Sequence, residues 1–181
     1  ERVEVSLIAG EQRSDAYLEL NAQGFVPMLV ADGEAIIQSM AIIDWLDRAF
    51  PEPRLIPDDA MPRAVALAQA QVVASDIHPL NNLRVLKYLT KDLGLNEQTK
   101  DRWIATWIAQ GFEALEAMAG DARYLGGDAP GIADCCLVPQ MYNARRFGVP
   151  LDEYPRLVAI DAACVDLEAF QKAHPDAVKP A

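Results

Sequence analysis

The sequence predicts a small α/β domain followed by a larger all-helical domain. Three observations indicate this order. Short apolar segments separated by turn residues occupy about the first 50 residues, a proline-rich segment follows, and the remaining apolar residues recur at helical spacing. The predicted boundaries are residues 1–50 for the α/β domain, 51–60 for a linker and 61–181 for the helical domain.

In the predicted α/β domain, local patterns indicate five elements. Alternating apolar residues at Val3–Ile8 predict a strand, and a capping serine at Ser14 predicts a short helix over 15–20. An Asp-Gly turn joins two further predicted strands near 27–30 and 35–37. An amphipathic helix is then expected from about residue 39 to residue 49.

The predicted linker contains most of a cluster of four prolines, Pro51, Pro53, Pro57 and Pro62. Helices are predicted beyond it over residues 61–91, 97–118, 132–147 and 155–170. The first of these is interrupted by His78-Pro79, because a proline removes a helix hydrogen bond. Trp103 and Trp107 recur at helical spacing and are interpreted as core residues.

Composition excludes several classes of function. The chain has 181 residues, 51% of them hydrophobic, which is enough for a sizeable core. Its net charge of −11 argues against nucleic-acid binding, which needs clustered positive charge. Apolar stretches fall well short of a membrane span, the first residues lack signal-peptide character, and the three cysteines have neither disulfide nor metal spacing. We therefore expect a soluble, cytoplasmic protein without a metal site.

One segment of the α/β domain combines a backbone edge with a helix start. Pro27 holds the preceding Val26 extended, so the backbone of Val26 can pair with a peptide-like ligand laid beside it as an added strand. Gln38 and Ser39 open the next helix, with Ser39 at the expected N-cap, and free amides there favour a carboxylate. Taken singly, these features are also consistent with an ordinary turn and a purely structural cap.

In order and spacing, these residues resemble the glutathione site of the glutathione transferase superfamily. The resemblance implies a cis Val26-Pro27 bond that positions the cysteinyl backbone of glutathione, and a γ-glutamyl carboxylate held by Gln38 and Ser39. It also implies the glutathione transferase fold, in which a thioredoxin-like α/β domain precedes an all-α helical bundle. Glutathione is accordingly the expected cofactor.

The helical domain is similar to the zeta class of that superfamily. The run from Asp76 to Leu86, Asp-Ile-His-Pro-Leu-Asn-Asn-Leu-Arg-Val-Leu, places polar side chains around a proline break in an apolar helix. Further similar segments are Gly10–Arg13, Leu137–Gln140, Asn143–Phe147, and Leu167–Phe170 followed by His174-Pro175. The known activities of the class are maleylacetoacetate isomerase and maleylpyruvate isomerase, and the resemblance does not choose between them.

The class resemblance implies roles for the polar residues. Arg84 and Arg146 become candidate clamps for substrate carboxylates, which a guanidinium matches bidentately, and His78 a candidate substrate contact. Arg145 should point about 100° away from Arg146 and leave its pocket. The further glutathione contacts implied are Gln12, Asp76, Asn81 and Asn82. The alternatives are structural: solvated arginines, a core or capping histidine, and amides that satisfy backbone groups freed by Pro79.

The reaction that the resemblance implies is a glutathione-dependent cis–trans isomerisation of maleylacetoacetate or maleylpyruvate in aromatic catabolism. A thiolate adds to the activated double bond, the resulting single bond rotates, and loss of the thiolate gives the fumaryl product. One alternative is a zeta-like transferase that acts on small α-haloacids, and another is a non-catalytic glutathione-binding or interaction module. The expected partners are a small dicarboxylate or keto-acid substrate and, by resemblance only, a second copy in a homodimer.

Two departures from the superfamily pattern carry expectations of their own. A strand and helix with the thiol-activating Ser, Cys or Tyr normally precede the segment at Val3–Ile8, so we expect roughly 25 residues of a longer protein to precede this sequence. The thiol activator is therefore not assigned among the 181 residues. In the helical domain Asp134 is expected to close a capping box, although Gly131 at its cap position lacks the usual hydroxyl, which should cost a few tenths of a kcal/mol.

Overall fold

The computed structural model describes residues 1–178, and these form two compact units. The first unit is Glu1–Arg54, and the second begins at Leu55. This boundary lies inside the segment predicted to be a linker. Along residues 1–178, no helix combines the length and the apolar character that a membrane crossing requires.

The first unit is built around a two-stranded antiparallel hairpin. Its pairing begins with Met28 opposite Ile37 and closes at the Asp32-Gly33 turn, as the sequence predicted. The Ser14 side chain caps the preceding helix by accepting the Tyr17 N–H at 3.4 Å. The elements are a 3-10 turn Glu11–Arg13, helix α1 Asp15–Leu20, strands β1 Met28–Ala31 and β2 Glu34–Ile37, and helix α2 Ser39–Ala49, which packs on the hairpin.

Two predictions for the first unit are wrong. Residues Val3–Ile8 form no strand, because no other strand lies beside them within the described chain and an extended segment has no ladder without a partner. Ser39 is the first helical residue of α2 rather than its N-cap. The N-cap is Gln38, which has a φ of 72° and makes no side-chain capping hydrogen bond. The Ser39 hydroxyl thus lies at the helix start without serving as the cap.

The second unit consists of helices joined by short loops. The helices predicted over 97–118 and 132–147 are confirmed to within one residue at each end. The helices are α3 Ala60–Gln71, α4 His78–Leu80, α5 Leu83–Lys87, α6 Glu97–Met118, α7 Ile132–Arg146, α8 Pro155–Val165, α9 Glu168–Ala173 and α10 Pro175–Val178, and π-helical turns span Val72–Ile77 and Tyr88–Asp92.

Two helices predicted as single elements are divided. The region 61–91 contains α3, α4 and α5 with both π turns, because Pro79 cannot donate to the helix and Asn82 is extended and begins a new one. The region 155–170 contains α8 and the start of α9. These two helices are separated at Leu167, whose backbone is extended.

The core of the second unit forms where α6, α7, α8 and the first π turn meet. The largest side chains that it buries completely are Ile77, Ile104, Ile108, Phe112, Leu115, Leu137, Met141 and Leu157. Gly111 lets α6 lie close to the π turn, since a Cβ at this position would be 2.3 Å from Cγ1 of Ile77. This contact fixes the segment that leads into His78.

Helix α7 begins at a completely buried carboxylate. Asp134 accepts the backbone N–H groups of Leu125 at 2.8 Å, Gly126 at 2.9 Å and Gly131 at 2.8 Å. The hydrogen bond from the Gly131 N–H to Asp134 is the part of the capping box that the sequence predicted. The Leu55 carbonyl also accepts the Ile132 N–H at 2.9 Å, and a Cβ on Gly131 would lie 3.0 Å from that oxygen. Because Gly131 has no side chain, the Leu55 carbonyl can approach the start of α7 and accept an N–H there, although the usual capping hydroxyl is missing.

Candidate functional site

The backbone around Val26 is the candidate ligand-binding edge of the first unit. The Val26-Pro27 peptide is cis, as predicted. Strand pairing starts only at Met28, and within residues 1–178 the N–H and C=O of Val26 enter no hydrogen bond. Val26 is also 41% exposed. An exposed edge with unpaired backbone groups is where a peptide ligand can add as a strand.

The start of α2 lies at the same end of the hairpin as Val26. Because Met28 is paired with Ile37, the residues that precede β1 and those that follow β2 are neighbours. The Gln38 side chain donates through Nε2 to Oε1 of Gln23 at 2.7 Å, which ties the helix start to the loop before Val26. Gln38 and Ser39 are exposed, and a helix start presents amides and the positive end of its dipole to an anion. The structure thus brings Val26, Pro27, Gln38 and Ser39 together.

Gln12 is joined to the same loop through a close backbone contact. Gly24 has a φ of 60°, and a Cβ there would be 2.7 Å from the Gln12 carbonyl oxygen. The Arg13 guanidinium lies 5.4 Å from the centre of the Phe25 ring. Oε1 of Gln12 is buried and has no hydrogen-bond partner in the described part of the chain. This oxygen therefore keeps unused hydrogen-bonding capacity.

Gly24→Ala should lower the free energy of unfolding by more than about 2 kcal/mol, because a left-handed φ costs about 1–2 kcal/mol and the Cβ also meets Gln12. Urea unfolding measures this loss. Gly33→Ala is the matched control: its φ is 84°, but nothing lies within 4 Å of the added Cβ. Gly33→Ala should lose only the free energy that a left-handed φ costs a residue with a Cβ. Equal losses of stability in the two variants would contradict the close contact between Gly24 and Gln12.

The two asparagines at the helix break have different environments. Oδ1 of Asn82 accepts the Arg84 N–H at 3.2 Å and caps α5, which is the structural alternative named for this residue. Asn81 is 8% exposed, and neither Oδ1 nor Nδ2 has a partner among the described residues. Leaving a buried amide unpaired costs about 1–3 kcal/mol per group. Asn81 therefore keeps unused hydrogen-bonding capacity, whereas Oδ1 of Asn82 is occupied by the cap.

His78 starts α4, and although the residue as a whole is exposed, its ring lies against protein atoms that remove part of its hydration. Its backbone N–H donates to the Val73 carbonyl across the π turn. Loss of hydration around the ring lowers the pKa of His78 from the ordinary value of 6.5. The shift favours the neutral form of the imidazole. A neutral imidazole can donate a hydrogen bond to a developing oxyanion, but it adds no positive charge for a carboxylate.

Arg146 is the last residue of α7, and like Arg84 it is exposed. The helix closes in a Schellman turn, in which Gly148 has a φ of 65° and the Val149 N–H donates to the Ala144 carbonyl at 2.9 Å. The Arg146 guanidinium lies 5.5 Å from the centre of the Phe147 ring. The Arg145 side chain instead pairs with the buried carboxylate of Asp161 at 2.6 Å.

A groove of about 510 Å³ lies between the segment 72–80 and α6. Among the predicted site residues, Asp76 lines this groove, whereas His78, Asn81, Asn82, Arg84 and Arg146 do not. Trp107 also lines it, and its buried indole N–H has no partner within residues 1–178. The neighbouring Trp103 donates through Nε1 to the Leu80 carbonyl at 3.0 Å. Trp103 and Trp107 recur at the same helical spacing, so the sequence could not predict that Trp107 lines the groove while Trp103 bonds to Leu80.

The three cysteines are poor nucleophiles. Burial raises the pKa of Cys135 and Cys136 to about 11, and burial beside Asp134 raises that of Cys164 to about 12. Since the thiolate is the reactive form, these thiols remain inert at neutral pH. The activator of a bound thiol stays unassigned among residues 1–178.

Comparison with known proteins identifies the family. Residues 2–54 match the glutathione S-transferase N-terminal domain, and residues 97–160 match the glutathione S-transferase C-terminal domain. The chain belongs to the glutathione S-transferase family. Over 98% of its length and 85% of the relative's, it is 46% identical to a maleylpyruvate isomerase from a Ralstonia species.

Solved structures of family members place the chain near the zeta class. A holo structure of maleylpyruvate isomerase, described as a bacterial zeta-class glutathione S-transferase, has a TM-score of 0.93 and 47% identity over 97% of this chain and 84% of that one. Maleylacetoacetate isomerase from Methylobacterium extorquens AM1, with bound malonate and GSH, has a TM-score of 0.90 and 35% identity over 100% and 88%. The predicted glutathione transferase fold and the resemblance to zeta-class isomerases are confirmed.

Proposed function

We propose that this glutathione S-transferase is a glutathione-dependent cis–trans isomerase of maleylpyruvate or maleylacetoacetate. The observation that carries the proposal is the unpaired, exposed backbone of Val26 beside the start of α2. That arrangement suits a γ-glutamyl peptide, whose backbone can pair with the edge while its carboxylate meets the helix amides. The similarity to isomerases, including one solved with GSH and malonate, a small dicarboxylate, supports both the cofactor and the substrate class.

The residues of the first unit hold glutathione in this proposal. Val26 pairs through its N–H and C=O with the cysteinyl part, next to Pro27. The Ser39 hydroxyl and the α2 amides bind the γ-glutamyl carboxylate, Gln38 braces the helix start against Gln23, and Gln12 offers Oε1 to a ligand N–H. When bound, glutathione supplies the thiolate that adds to the substrate double bond and leaves after rotation.

The residues of the second unit bind the substrate in this proposal. Arg84 and Arg146 hold carboxylates, which makes the site locally basic in a chain of net charge −11. His78, whose environment favours the neutral imidazole, donates a hydrogen bond to the enolate oxygen. Asp76, Asn81 and Asn82 remain the proposed glutathione contacts, and the unpaired amide of Asn81 favours it most strongly among the three.

A substrate comparison with the natural protein tests the proposal. We expect conversion of a maleyl keto acid to its fumaryl isomer, with a strict need for glutathione and no net consumption of it. Halide release from an α-haloacid without isomerisation would favour the transferase alternative. Glutathione binding without turnover of either substrate class would favour the non-catalytic module.

Ser39→Ala should weaken glutathione binding about 10-fold or more, because a hydrogen bond to a charged group contributes about 1.5–3 kcal/mol. Its effect on unfolding should be under about 0.5 kcal/mol, since Ser39 does not cap α2. Calorimetric titration and urea unfolding measure the two quantities. Asn96→Ala is the reciprocal control: it removes a true cap, the Thr99 N–H contact of 2.9 Å, and should lose stability without losing affinity. Unchanged affinity in Ser39→Ala would remove Ser39 from the site.

We propose in addition that the protein acts as a cytoplasmic homodimer in aromatic catabolism. A glutathione-dependent reaction and three free cysteines suit a reducing compartment. The homodimer is proposed from the resemblance to the glutathione S-transferase family alone. Sedimentation equilibrium at the mass of a monomer would contradict the homodimer.

A further inference from the structure

Two side chains outside the predicted site hold the peptide group that precedes Val26. The Tyr17 hydroxyl donates to the Phe25 carbonyl oxygen at 2.6 Å, and Nδ2 of Asn21 donates to the same oxygen at 2.8 Å. We infer that Tyr17 and Asn21 are positioning residues that aim the N–H of Val26 at the cysteinyl carbonyl of glutathione. The inference rests on the proposed function, which supplies the ligand.

The physical link is the planarity of the peptide group. The Phe25 carbonyl and the Val26 N–H belong to one trans peptide unit, in which the two groups point in opposite directions. The hydrogen bonds from Tyr17 and Asn21 hold the Phe25 oxygen towards α1, so the Val26 N–H points away from that helix. The orientation of the Val26 N–H is thus set before any ligand arrives, which lowers the entropy lost on binding.

Both donors are themselves held in place. Asn21 is 2% exposed and follows the last residue of α1. Its Oδ1 accepts the Gln23 N–H at 3.0 Å while its carbonyl accepts the Gly24 N–H at 2.8 Å. Tyr17 lies within α1 and is partly buried. Because two donors occupy the two lone pairs of the Phe25 oxygen, that oxygen has no capacity left for a ligand, and Val26 supplies the contacts instead.

Calorimetric titration of the natural protein with glutathione tests the inference. Tyr17→Phe removes one hydroxyl, and Asn21→Ala removes the other donor. Each variant should bind glutathione about 3- to 10-fold more weakly, the range expected for one hydrogen bond. In turnover assays, KM for glutathione should rise by a similar factor, while kcat at saturating glutathione and KM for the maleyl substrate should stay within about twofold of wild type.

A glutathione analogue distinguishes loss of the Val26 N–H orientation from a general loss of structure in the variant. In a glutathione analogue whose cysteinyl carbonyl is replaced by a methylene, the acceptor for the Val26 N–H is absent, so wild type and Tyr17→Phe should bind equally. Gly33→Ala, at the hairpin turn of the same unit, is the stability control and should keep wild-type affinity for glutathione. A loss in Tyr17→Phe that is equal for glutathione and the analogue would show a merely structural role and overturn the inference.

The remaining outcomes separate this inference from the proposed function. If wild type binds glutathione and both variants bind it equally well, the positioning role is wrong while the proposed function stands. If wild type binds no glutathione, the proposed function fails and the inference fails with it. Should Asn21→Ala not fold, Tyr17→Phe alone decides, since it retains the aromatic ring and removes only the hydroxyl.

Discussion

Arg146→Ala should raise KM for the maleyl substrate and lower kcat/KM about 10- to 100-fold, while glutathione affinity stays nearly unchanged. A bidentate contact between a guanidinium and a carboxylate is a charge-assisted interaction of about 1.5–3 kcal/mol, which corresponds to this factor. Arg146 is exposed at the end of α7, where a Schellman turn fixes the backbone and Phe147 lies beside the guanidinium. Initial rates at saturating glutathione, with the substrate varied, measure the effect.

Arg123→Ala is the matched control for this experiment. Arg123 is exposed in the same unit, and its guanidinium lies 5.4 Å from the ring of the adjacent Tyr124, much as Arg146 lies beside Phe147. The control removes the same charge and the same ring contact away from the proposed pocket, so its kinetics should match wild type. Equal losses in both variants would assign the effect to net charge, and wild-type kinetics in Arg146→Ala would make Arg146 a solvated surface residue.

Arg145→Ala would be a poor control, although Arg145 is the adjacent residue. Its guanidinium contacts the Asp161 carboxylate, whose side chain is only 3% exposed. Removing one partner leaves a buried charge without compensation, which is strongly destabilising. The variant would also loosen the end of α7 that carries Arg146. The sequence spacing predicted that the two arginines diverge, but only the fold shows that Arg145 is a structural residue.

The elements predicted correctly are those with local signals. A capping serine marked α1, an Asp-Gly turn marked the hairpin, and long apolar periodicity marked α6 and α7. The strand expected at Val3–Ile8 fails because pairing depends on a neighbour that periodicity cannot supply. The identity of the α2 cap also escaped prediction, since it depends on the φ of Gln38 rather than on the capping preference of serine.

Some features of the candidate site could likewise be predicted from the sequence, and others could not. Hairpin register carries Val26 and Ser39 to one end of the first unit, and the turn that sets this register is readable in the sequence. Tyr17 and Asn21 gave no such signal, because their role depends on a carbonyl oxygen that the folded loop turns towards them. Asn81 and Asn82 are adjacent in sequence and chemically identical. Asn81 is buried with an unpaired amide, whereas Asn82 has an extended backbone at the start of α5 and caps that helix.

Asp134→Ala should cause the largest loss of stability among these variants, at least about 3 kcal/mol. The Asp134 carboxylate is completely buried and accepts three backbone N–H groups, from Leu125, Gly126 and Gly131. Alanine leaves these donors unsatisfied, and each buried orphan costs about 1–3 kcal/mol. Urea unfolding measures the loss. Asp134→Asn should lie between wild type and alanine, because it keeps one acceptor oxygen but turns an NH₂ group towards the donors.

Glu116→Ala provides the comparison that isolates burial as the cause. The Glu116 carboxylate also caps a helix, accepting the Arg156 and Leu157 N–H groups at 3.0 Å each at the start of α8. It is only partly buried, so water can replace it, and its loss should cost about 1 kcal/mol. If Asp134→Ala lost no more stability than Glu116→Ala, water would be reaching the start of α7, and the complete burial of the Asp134 carboxylate would be wrong. A clear excess in Asp134→Ala would instead show that α7, which carries Arg146 at its other end, is anchored by a carboxylate that solvent cannot replace.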